Sequence, residues 1–478
     1  MSQYLSPGVY VEEVPSAVKA IAGVSTSTAG FIGIVPDAIT VPVSCSLSRD
    51  ERVGKGDGTA KDFDLPRHPV QVVAGSFRVR VDGVLVNATV TNVEAADSAP
   101  AKARVTLPVA PSQGAAITGD FVYDYKTVVP TLTQAGTPKL CTTFSDFRNF
   151  FGDFSLDAGQ RNLSLAVYAF FTNSVTRFFV VRVTADTQIG AALEKLAAID
   201  EIALISAPGL FSPTVRDLVV SHCVNTGDRF ALLDSEEVLE TTGVFDPTLL
   251  DPSNVKNTLP DNTDYAAFYF PWLQVFDPAS KTENPLGDGL RCVPPSGHMA
   301  GIYARVDNER GVHKAPANEV VRGALGLKYQ VSKAIQNGLN PQGVNVIRDL
   351  NGNIRVWGAR TVGGNSNADL KYINVRRTLL FLRESIDEGT QWVVFEPNTP
   401  SLWQKISRNI TAFLTIVWRS GALFGTSAQE AFFVKCDAET NPPELRELGQ
   451  VVTEIGVAIV RPAEFVIFRI SQYSAPSK

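Results

Sequence analysis

Few side chains in this sequence have the types and spacing needed for chemistry. Gly54, Gly56 and Gly58 have the spacing of a phosphate-binding loop. However, no Lys-Ser/Thr ending follows them, and no strand-to-helix context surrounds them. His298 and His313 have no spaced partner ligand, which a zinc site would require. We therefore interpret the glycine run as a turn and the two histidines as residues with ordinary polar contacts.

A group of four charged side chains is a second candidate site: Arg305, Asp307, Glu309 and Arg310. Carboxylates alone do not define a reaction, so we interpret this group as an ion-pair cluster rather than a catalytic acid–base pair. His222 and Cys223 fall in one predicted helix, and we interpret both as structural residues.

The tripeptide Ala-Pro-Gly at residues 207–209 ends a predicted strand, a position where α/β enzymes often hold ligands. We expect no charged or nucleophilic side chain to converge there. The sequence therefore predicts no catalytic residue, no cofactor and no metal.

The length, net charge and cysteine count of the chain argue against several classes of protein. A chain of 478 residues suggests about three domains. The net charge of −6 and the pI near 5.5 argue against a nucleic-acid binder. The five cysteines are odd in number and far apart, which argues against disulfides or zinc ligation and fits a reducing cytoplasm. No signal peptide and no membrane-spanning apolar run is present, so we expect synthesis in the cytoplasm and no membrane insertion.

One stretch, residues 398–421, has the pattern of an amphipathic helix with marked ends. Thr399 is predicted to cap its first amides, Pro400 suits the first turn, and Gly421 suits a left-handed stop. Apolar residues recur at the helical period and form one stripe. They are Leu402, Trp403, Ile406, Ile410, Phe413, Leu414 and Val417.

The opposite side of this helix carries Arg408 and Arg419, with Lys405 on its flank, while no Asp or Glu lies between Thr399 and Gly421. Two interpretations remain open at this point. The cations form an ordinary solvated face, or they form a docking surface for an acidic protein partner.

Strand and helix patterns alternate from residue 144 to residue 275, which predicts a mixed sheet with helices on its faces. Residues 45–126 show no helix pattern and contain a hairpin signal at Asp82-Gly83, so they predict an inserted antiparallel β-sandwich. We also expect one continuous strand over residues 266–275. A helix over 375–387 is expected to end at Gly389, with a strand over 392–395 after it.

The predicted fold class is therefore mixed α/β and α+β, with several domains. Residues 1–27 form an N-terminal arm and linker. Residues 28–44 and 127–293 form the α/β core, and the insertion occupies 45–126. A C-terminal domain covers 294–470, and 471–478 form a tail.

Both ends of the chain carry β-prone runs, at residues 8–14 and 464–470. Exposed runs of this kind favour aggregation, so each must pair with a sheet edge. The runs either fold back into their own sheet or are exchanged between subunits by strand addition. Head-to-tail exchange with a rotation that does not close builds a helix.

Four stretches resemble the contractile tail sheath proteins of phage tails, R-type bacteriocins and extracellular contractile injection systems. They are SPGVYVEEV with TAGFIG, then GHMAGIYARVDNERGVHKAPAN, then YINVRRTLLFLRESIDEGTQWVVFEPNTPSLWQKI, and finally EAFFVKCD with VAIVRPAEFVIFRI. The resemblance covers the N-terminal arm and nearly all of residues 294–470. Residues 45–126 match less well, which fits a variable, outward-facing insertion.

The resemblance implies a structural protein and no enzyme. Its subunits form a helical homo-oligomer around an inner tube protein. The other implied partners are a baseplate and a terminator or cap protein, which lie at the ends of the assembly. The assembled phage tail or released injection particle contracts and drives the tube through a target envelope. Flexible linkers such as residues 16–27 are implied as hinges.

The family also implies roles for particular residues. The inner tube contact falls on Lys405, Arg408 and Arg419. Strand exchange between subunits falls on Gly8, Val9, Tyr10, Val11, Glu12, Glu13 and Val14, and on Glu464, Phe465, Val466, Ile467, Phe468, Arg469 and Ile470. Two alternatives are an α/β enzyme that uses the sheet of residues 177–275, and another self-assembling shell.

Overall fold

A computed structural model describes residues 20–42, 46–65, 69–70, 72, 75–93, 101–123, 126–131, 133–173 and 176–467. The predicted N-terminal strand at residues 8–14 and the end of the C-terminal run at 468–470 lie outside these residues. The chain divides into two compact units. We call residues 25–377 the large unit, and residues 1–24 with 378–478 the C-terminal unit.

The strands of the large unit follow one another in chain order. They are β1 (Ala29–Ile34), β2 (Ala38–Pro42), β3 (Ser46–Lys55), β4 (Asp62–Leu65), β5 (Phe77–Val81), β6 (Val84–Val86), β7 (Thr89–Val93), β8 (Lys102–Thr106), β9 (Ala116–Tyr123), β10 (Lys126–Pro130), β11 (Lys139–Cys141), β12 (Phe178–Val183), β13 (Leu204–Ser206), β14 (Phe230–Asp234), β15 (Glu240–Thr241), β16 (Val244–Phe245), β17 (Ala266–Phe270), β18 (Leu273–Phe276), β19 (Leu290–Val293), β20 (Ala324–Leu327), β21 (Val344–Leu350) and β22 (Asn353–Val356).

Helices of the large unit connect these strands. They are α1 (Phe144–Phe151), α2 (Ala158–Phe171), α3 (Ile189–Ala197), α4 (Pro213–Thr226), α5 (Pro278–Glu283), α6 (Ser296–Arg310), α7 (Lys333–Leu339) and the start of α8 (Ile373–Thr390). Short 3-10 turns lie at Asp186–Gln188, Pro247–Leu250, Asn340–Gln342 and Gly364–Leu370.

One large mixed sheet organises the unit, in the order β11-β12-β1-β13-β14-β17-β21-β22. The strands from β12 to β21 are parallel, and β11 and β22 join the two edges antiparallel. Every residue of β12, β14 and β17 is buried. Continuous apolar runs are typical of parallel strands that helices cover on both faces. The predicted mixed sheet flanked by helices is confirmed.

Helices α2 and α6 approach each other closely at glycines on one face of the sheet. A Cβ atom added to Gly297 would lie 2.4 Å from the Cα of Ala166, so only glycine fits there. Beside this crossing, the ring of Phe31 in β1 packs edge-on against Phe170 in α2, with centroids 5.3 Å apart. These aromatic contacts attach the helical layer to the sheet.

The compact units do not follow the domain boundary that the sequence suggests at residue 294. That boundary would divide the large sheet, because β17 on one side of it pairs with β21 on the other. The expected single strand over residues 266–275 is wrong. It is broken at Pro271 into β17 and β18, and β18 belongs to a separate sheet with β19 and β20.

The inserted segment contains two antiparallel sheets, β3-β9-β5-β6 and β4-β8-β7. Both sheets contribute to one apolar cluster that includes Val79, Val105 and Phe121. The hairpin between β5 and β6 is confirmed, since Asp82 and Gly83 both adopt the positive φ that its turn requires. A two-stranded ribbon of β2 and β10 joins the insertion to the large sheet.

The C-terminal unit continues α8 and adds a second set of elements. They are a 3-10 turn at Gln391–Val393, α9 (Pro400–Arg419), α10 (Ala428–Ala431), β23 (Phe432–Lys435), α11 (Pro443–Glu447) and β24 (Glu454–Val457). Strands β23 and β24 pair antiparallel.

Two local expectations in this unit are wrong. Helix α8 continues to Thr390, past the predicted stop at Gly389. Residues 392–395 form no strand, because β-prone side chains still need a neighbouring strand to pair with. Instead Trp392 and Val393 pack against the apolar core, while Phe395 has a φ of 67° and a fully exposed side chain.

Candidate interaction surfaces

The side chains that first suggested chemistry are placed as structural residues. His298 lies inside α6 and is buried, and this burial lowers its pKa to about 4. Its Nδ1 has no hydrogen-bond partner among the described residues, so the expected ordinary polar contact is absent on that side. His222 is also buried, and its pKa falls to about 4 because of desolvation and the nearby Arg229.

The raised pKa values of three cysteine thiols agree with a structural role for these side chains. Burial raises the pKa of the Cys141 thiol to about 12, and it also raises the pKa of Cys223. A thiol that stays protonated is a poor nucleophile and a poor metal ligand. Cys292 is only partly buried, and its pKa is also raised. In the described part of the chain, no three His, Cys, Asp or Glu side chains are grouped to hold a metal.

The expectation that nothing charged converges on residues 207–209 is wrong. The Asp234 carboxylate, at the end of β14, accepts a hydrogen bond from the Gly209 N–H at 3.1 Å. It also accepts from the Ser296 N–H at 2.8 Å and the Ser296 hydroxyl at 2.7 Å. Burial raises the pKa of Asp234 to about 6 against these donors. An Asp at the end of an apolar, strand-like run was the signal for it in the sequence.

Two of the four charged residues of α6, Arg305 and Asp307, form ion pairs, but with partners from other elements rather than with one another. Asp307 pairs with Arg377 at the start of α8, and both side chains are about 3% exposed. Arg305 lies 3.5 Å from Glu319 and donates to Asn173 at 2.7 Å. Residue spacing within the helix does not identify these partners, because they lie far away in sequence.

Helix α9 confirms the predicted apolar stripe. All seven predicted residues are buried, and all of them except Trp403 pack into one core with β23 and α8. Indole groups fix both ends of the helix. Trp403 Nε1 donates to Asn398 Oδ1 at 2.8 Å, and Trp418 Nε1 donates to the Gly425 carbonyl at 3.0 Å. The side-chain cap expected from Thr399 is not formed, whereas Gly421 adopts the left-handed conformation expected of it.

The three predicted cations of α9 are all exposed. They lie on one stripe of the helix together with Ala412 and Ile416, and the distance along the axis from Lys405 to Arg419 is about 21 Å. Within the described residues, none of the three forms an ion pair. Ile416 is 65% exposed, and the sequence reasoning missed this apolar group among the cations.

The chain beyond β24 exposes a run of apolar side chains. Phe465, Val466 and Ile467 are 70%, 68% and 77% exposed, and residues 464–467 belong to no strand of the described chain. Among the described residues, β23 and β24 have no further strand neighbour. A two-stranded sheet with free edges can accept an additional strand.

The N-terminal segment from residue 20 is attached to each unit in turn. In the C-terminal unit, Ile21 is buried and the Val24 N–H donates to Ser385 Oγ at 3.1 Å. In the large unit, the Thr26 hydroxyl donates to Asp307 at 2.7 Å. The implied flexible linker at residues 16–27 therefore includes residues that make tertiary contacts, namely Ile21, Val24 and Thr26.

In the described residues, no helix has both the length and the apolar character needed to cross a membrane.

Two family profiles match the chain. Residues 365–472 match the phage tail sheath C-terminal domain, and residues 184–362 match the phage tail sheath protein central domain. Together they span more than half of the 478 residues.

Curated relatives include a putative prophage major tail sheath protein of Pseudomonas aeruginosa (strain UCBPP-PA14), with 26% identity over 224 residues. This match covers 44% of the chain and 55% of the relative. The tail sheath protein of Burkholderia phage BcepMu is 27% identical over 211 residues, which is 42% of each protein. The chain therefore spans about half the length of the curated relatives it matches.

Solved structures share the fold over nearly the whole chain. The sheath complex of the extracellular contractile injection system PVC, in the contracted state, has a TM-score of 0.63 and 23% identity, and the match covers 99% of each chain. The contracted helical sheath of the anti-feeding prophage has a TM-score of 0.62 and 23% identity, over 98% of this chain and 99% of that one.

Proposed function

We propose that this chain, which belongs to the phage tail sheath family, is the structural subunit of a contractile sheath. The subunits polymerise helically around an inner tube, and contraction of the polymer drives the tube through a target envelope. The chain is a structural protein rather than an enzyme. The observation that carries the proposal is the match of both sheath domains, supported by a shared fold with two contracted sheaths.

Polymerisation proceeds by exchange of the chain ends between subunits. The described part of the C-terminal run supports this, because Phe465, Val466 and Ile467 are exposed and unpaired in their own chain. The sheet of β23 and β24 offers free edges for such strands. Main-chain hydrogen bonds along an added strand set the register between neighbours. The N-terminal run at residues 8–14 serves as the second exchanged strand.

The inner tube binds the cationic stripe of α9, with Lys405, Arg408 and Arg419 as the contacts. The apolar side of the helix is buried and both of its ends are fixed, so the stripe is presented on a rigid element. Exposed ion pairs contribute only about 0–1 kcal/mol each. A few such contacts per subunit hold the tube and still allow it to be released.

The remaining partners follow from the same assembly. A baseplate bounds one end of the sheath and triggers contraction, and a terminator or cap protein bounds the other. The insertion at 45–126 faces outward from the tube. The finished object is a phage tail or a released injection particle that is assembled from subunits made in the cytoplasm.

The proposal is tested by deleting residues 1–14 and imaging the product with the tube protein by electron microscopy. We expect long hollow particles from the full chain and folded, unassembled subunits from the deletion. A matched control replaces residues 8–14 with a Gly/Ser segment of equal length, which keeps the length but removes the strand propensity. Particles of normal length from both variants would refute exchange of the N-terminal arm. Closed shells from the full chain would refute the sheath function.

A further inference from the structure

We infer that Thr26 and the buried ion pair of Asp307 and Arg377 form a clamp that holds the root of the N-terminal arm and carries load from it into α6 and the start of α8. The inference rests on the proposed function in one respect, since the load arises from exchange of that arm. The three residues lie in the large unit and come from three separate parts of the sequence.

The clamp is built on a two-point ion pair. Arg377 Nη1 lies 2.9 Å from Asp307 Oδ1, and Arg377 Nη2 lies 2.6 Å from Asp307 Oδ2. Both side chains are about 3% exposed. Bidentate charge-assisted hydrogen bonds of this kind are strong and fix the relative orientation of their two carriers. The pair therefore joins α6 to the start of α8.

Both members of the pair also bind the arm root. The Thr26 hydroxyl donates to Asp307 Oδ2 at 2.7 Å, and Arg377 Nη2 donates to the Thr26 carbonyl at 3.0 Å. Thr26 lies outside any helix or strand. The Thr26 hydroxyl is thus held by Asp307, and its backbone carbonyl is held by Arg377. Neither contact is part of a regular helix or strand.

The clamp is braced against the large sheet. The Arg377 guanidinium lies 4.7 Å from the ring centroid of Tyr303, and the Tyr303 hydroxyl lies 2.8 Å from that of Tyr269 in β17. Both tyrosines are fully buried. Force that reaches Arg377 is therefore passed to a central strand as well as to the two helices.

The position of the clamp along the chain explains what it protects. The first main-chain bonds that tie this end of the chain to β13 are accepted by Thr28, from Ala203 at 2.9 Å and Leu204 at 3.2 Å. Thr26 precedes them and follows the contacts of Ile21 and Val24, so tension that passes those two residues meets the clamp before it meets the sheet. A buried ion pair alone is weak support for fold stability, since apolar replacements are often as stable. The role that we infer for the Asp307–Arg377 pair therefore rests on its hydrogen bonds to Thr26, which fix the arm root to the large unit.

The clamp is tested in the full chain by Thr26→Val, with Ser25→Ala as the matched control on the neighbouring residue. Amide hydrogen exchange of purified subunits reads out the arm root and β1 separately. We expect peptides that cover residues 20–28 to exchange about tenfold faster in Thr26→Val, because it loses a hydrogen bond to a charged group. The β1 peptides and the Ser25→Ala variant are expected to match the wild type.

A second variant, Asp307→Leu with Arg377→Met, removes both charges together and avoids an unpaired buried ion. It is expected to fold and to loosen residues 20–28 at least as much as Thr26→Val. Unchanged exchange in Thr26→Val, or equal acceleration in β1, would overturn the clamp. The measurement uses single subunits, so a failure of the sheath proposal would appear in particle images and leave this result intact.

Discussion

Asp234 accepts a hydrogen bond of 2.8 Å from the backbone N–H of Ser296, and this bond joins the end of a central strand to the first turn of α6. The positive end of the helix faces the carboxylate, while full burial opposes its charge. The balance raises the pKa of Asp234 to about 6. We therefore expect this carboxylate, which the sequence analysis did not place near this part of the sheet, to make the stability of the subunit depend on pH.

We predict that Asp234→Asn changes this pH dependence in a defined direction. The folded pKa of about 6 lies above the ordinary value of 3.8, so the stabilising contribution is present below pH 3.8 and is lost as the pH rises through 6. The shift corresponds to about 3 kcal/mol. Urea unfolding at pH 4 and pH 7 should show the wild type gaining roughly 2–2.5 kcal/mol over Asp234→Asn at the lower pH, because pH 4 already lies slightly above 3.8. A difference that does not vary with pH would contradict the prediction.

His298 is predicted to act in the opposite direction. Its folded pKa of about 4 lies below the ordinary value of 6.5, so its contribution is present above pH 6.5 and is lost as the pH falls towards 4. The unfolding free energy of the wild type should fall between pH 7 and pH 4, and His298→Gln should make this fall smaller by about 3 kcal/mol. His313→Gln is the matched control, because His313 is only partly buried and should show a smaller effect. Equal effects from both substitutions would argue against burial as the cause.

The cationic stripe of α9 predicts a charge-dependent interaction with the tube. Lys405→Glu with Arg408→Glu should weaken co-assembly about tenfold or more, because two attractive contacts become repulsive. The control is Lys256→Glu with Lys333→Glu, which changes the net charge equally at two other exposed lysines. Co-sedimentation with purified tube at several salt concentrations measures both. Equal loss in the two variants would show that only net charge matters, and unchanged binding would exclude this helix.

Leu414→Ala tests the buried side of the same helix. Leu414 is fully buried in the core of the C-terminal unit, so its truncation leaves a cavity. We expect a loss of roughly 2–5 kcal/mol in unfolding free energy, measured by urea denaturation. Thr411→Ala on the exposed side of the helix should change stability by less than about 0.5 kcal/mol. A small effect of Leu414→Ala would mean that the stripe does not anchor the helix.

Local patterns in the sequence determined much of this protein. The apolar period of α9, the alternation of strands and helices, and the Asp82-Gly83 hairpin each depend on residues close together along the chain. Helical and strand periods are local properties, and for that reason a single sequence reveals them. The long motifs that resemble tail sheath proteins were equally readable, since family likeness needs no coordinates.

Only the tertiary structure decided which distant residues meet. Asp234 and Ser296 lie 62 positions apart, and Thr26 and Asp307 lie 281 apart, so no local spacing indicates either contact. The structure also decided that residues 392–395 form a turn and that Pro271 divides one apolar run between two sheets. In each case the outcome depends on the partner that packing supplies. Strand propensity without a paired neighbour does not make a strand, and a charge far from its counter-ion in sequence is placed only by the completed fold.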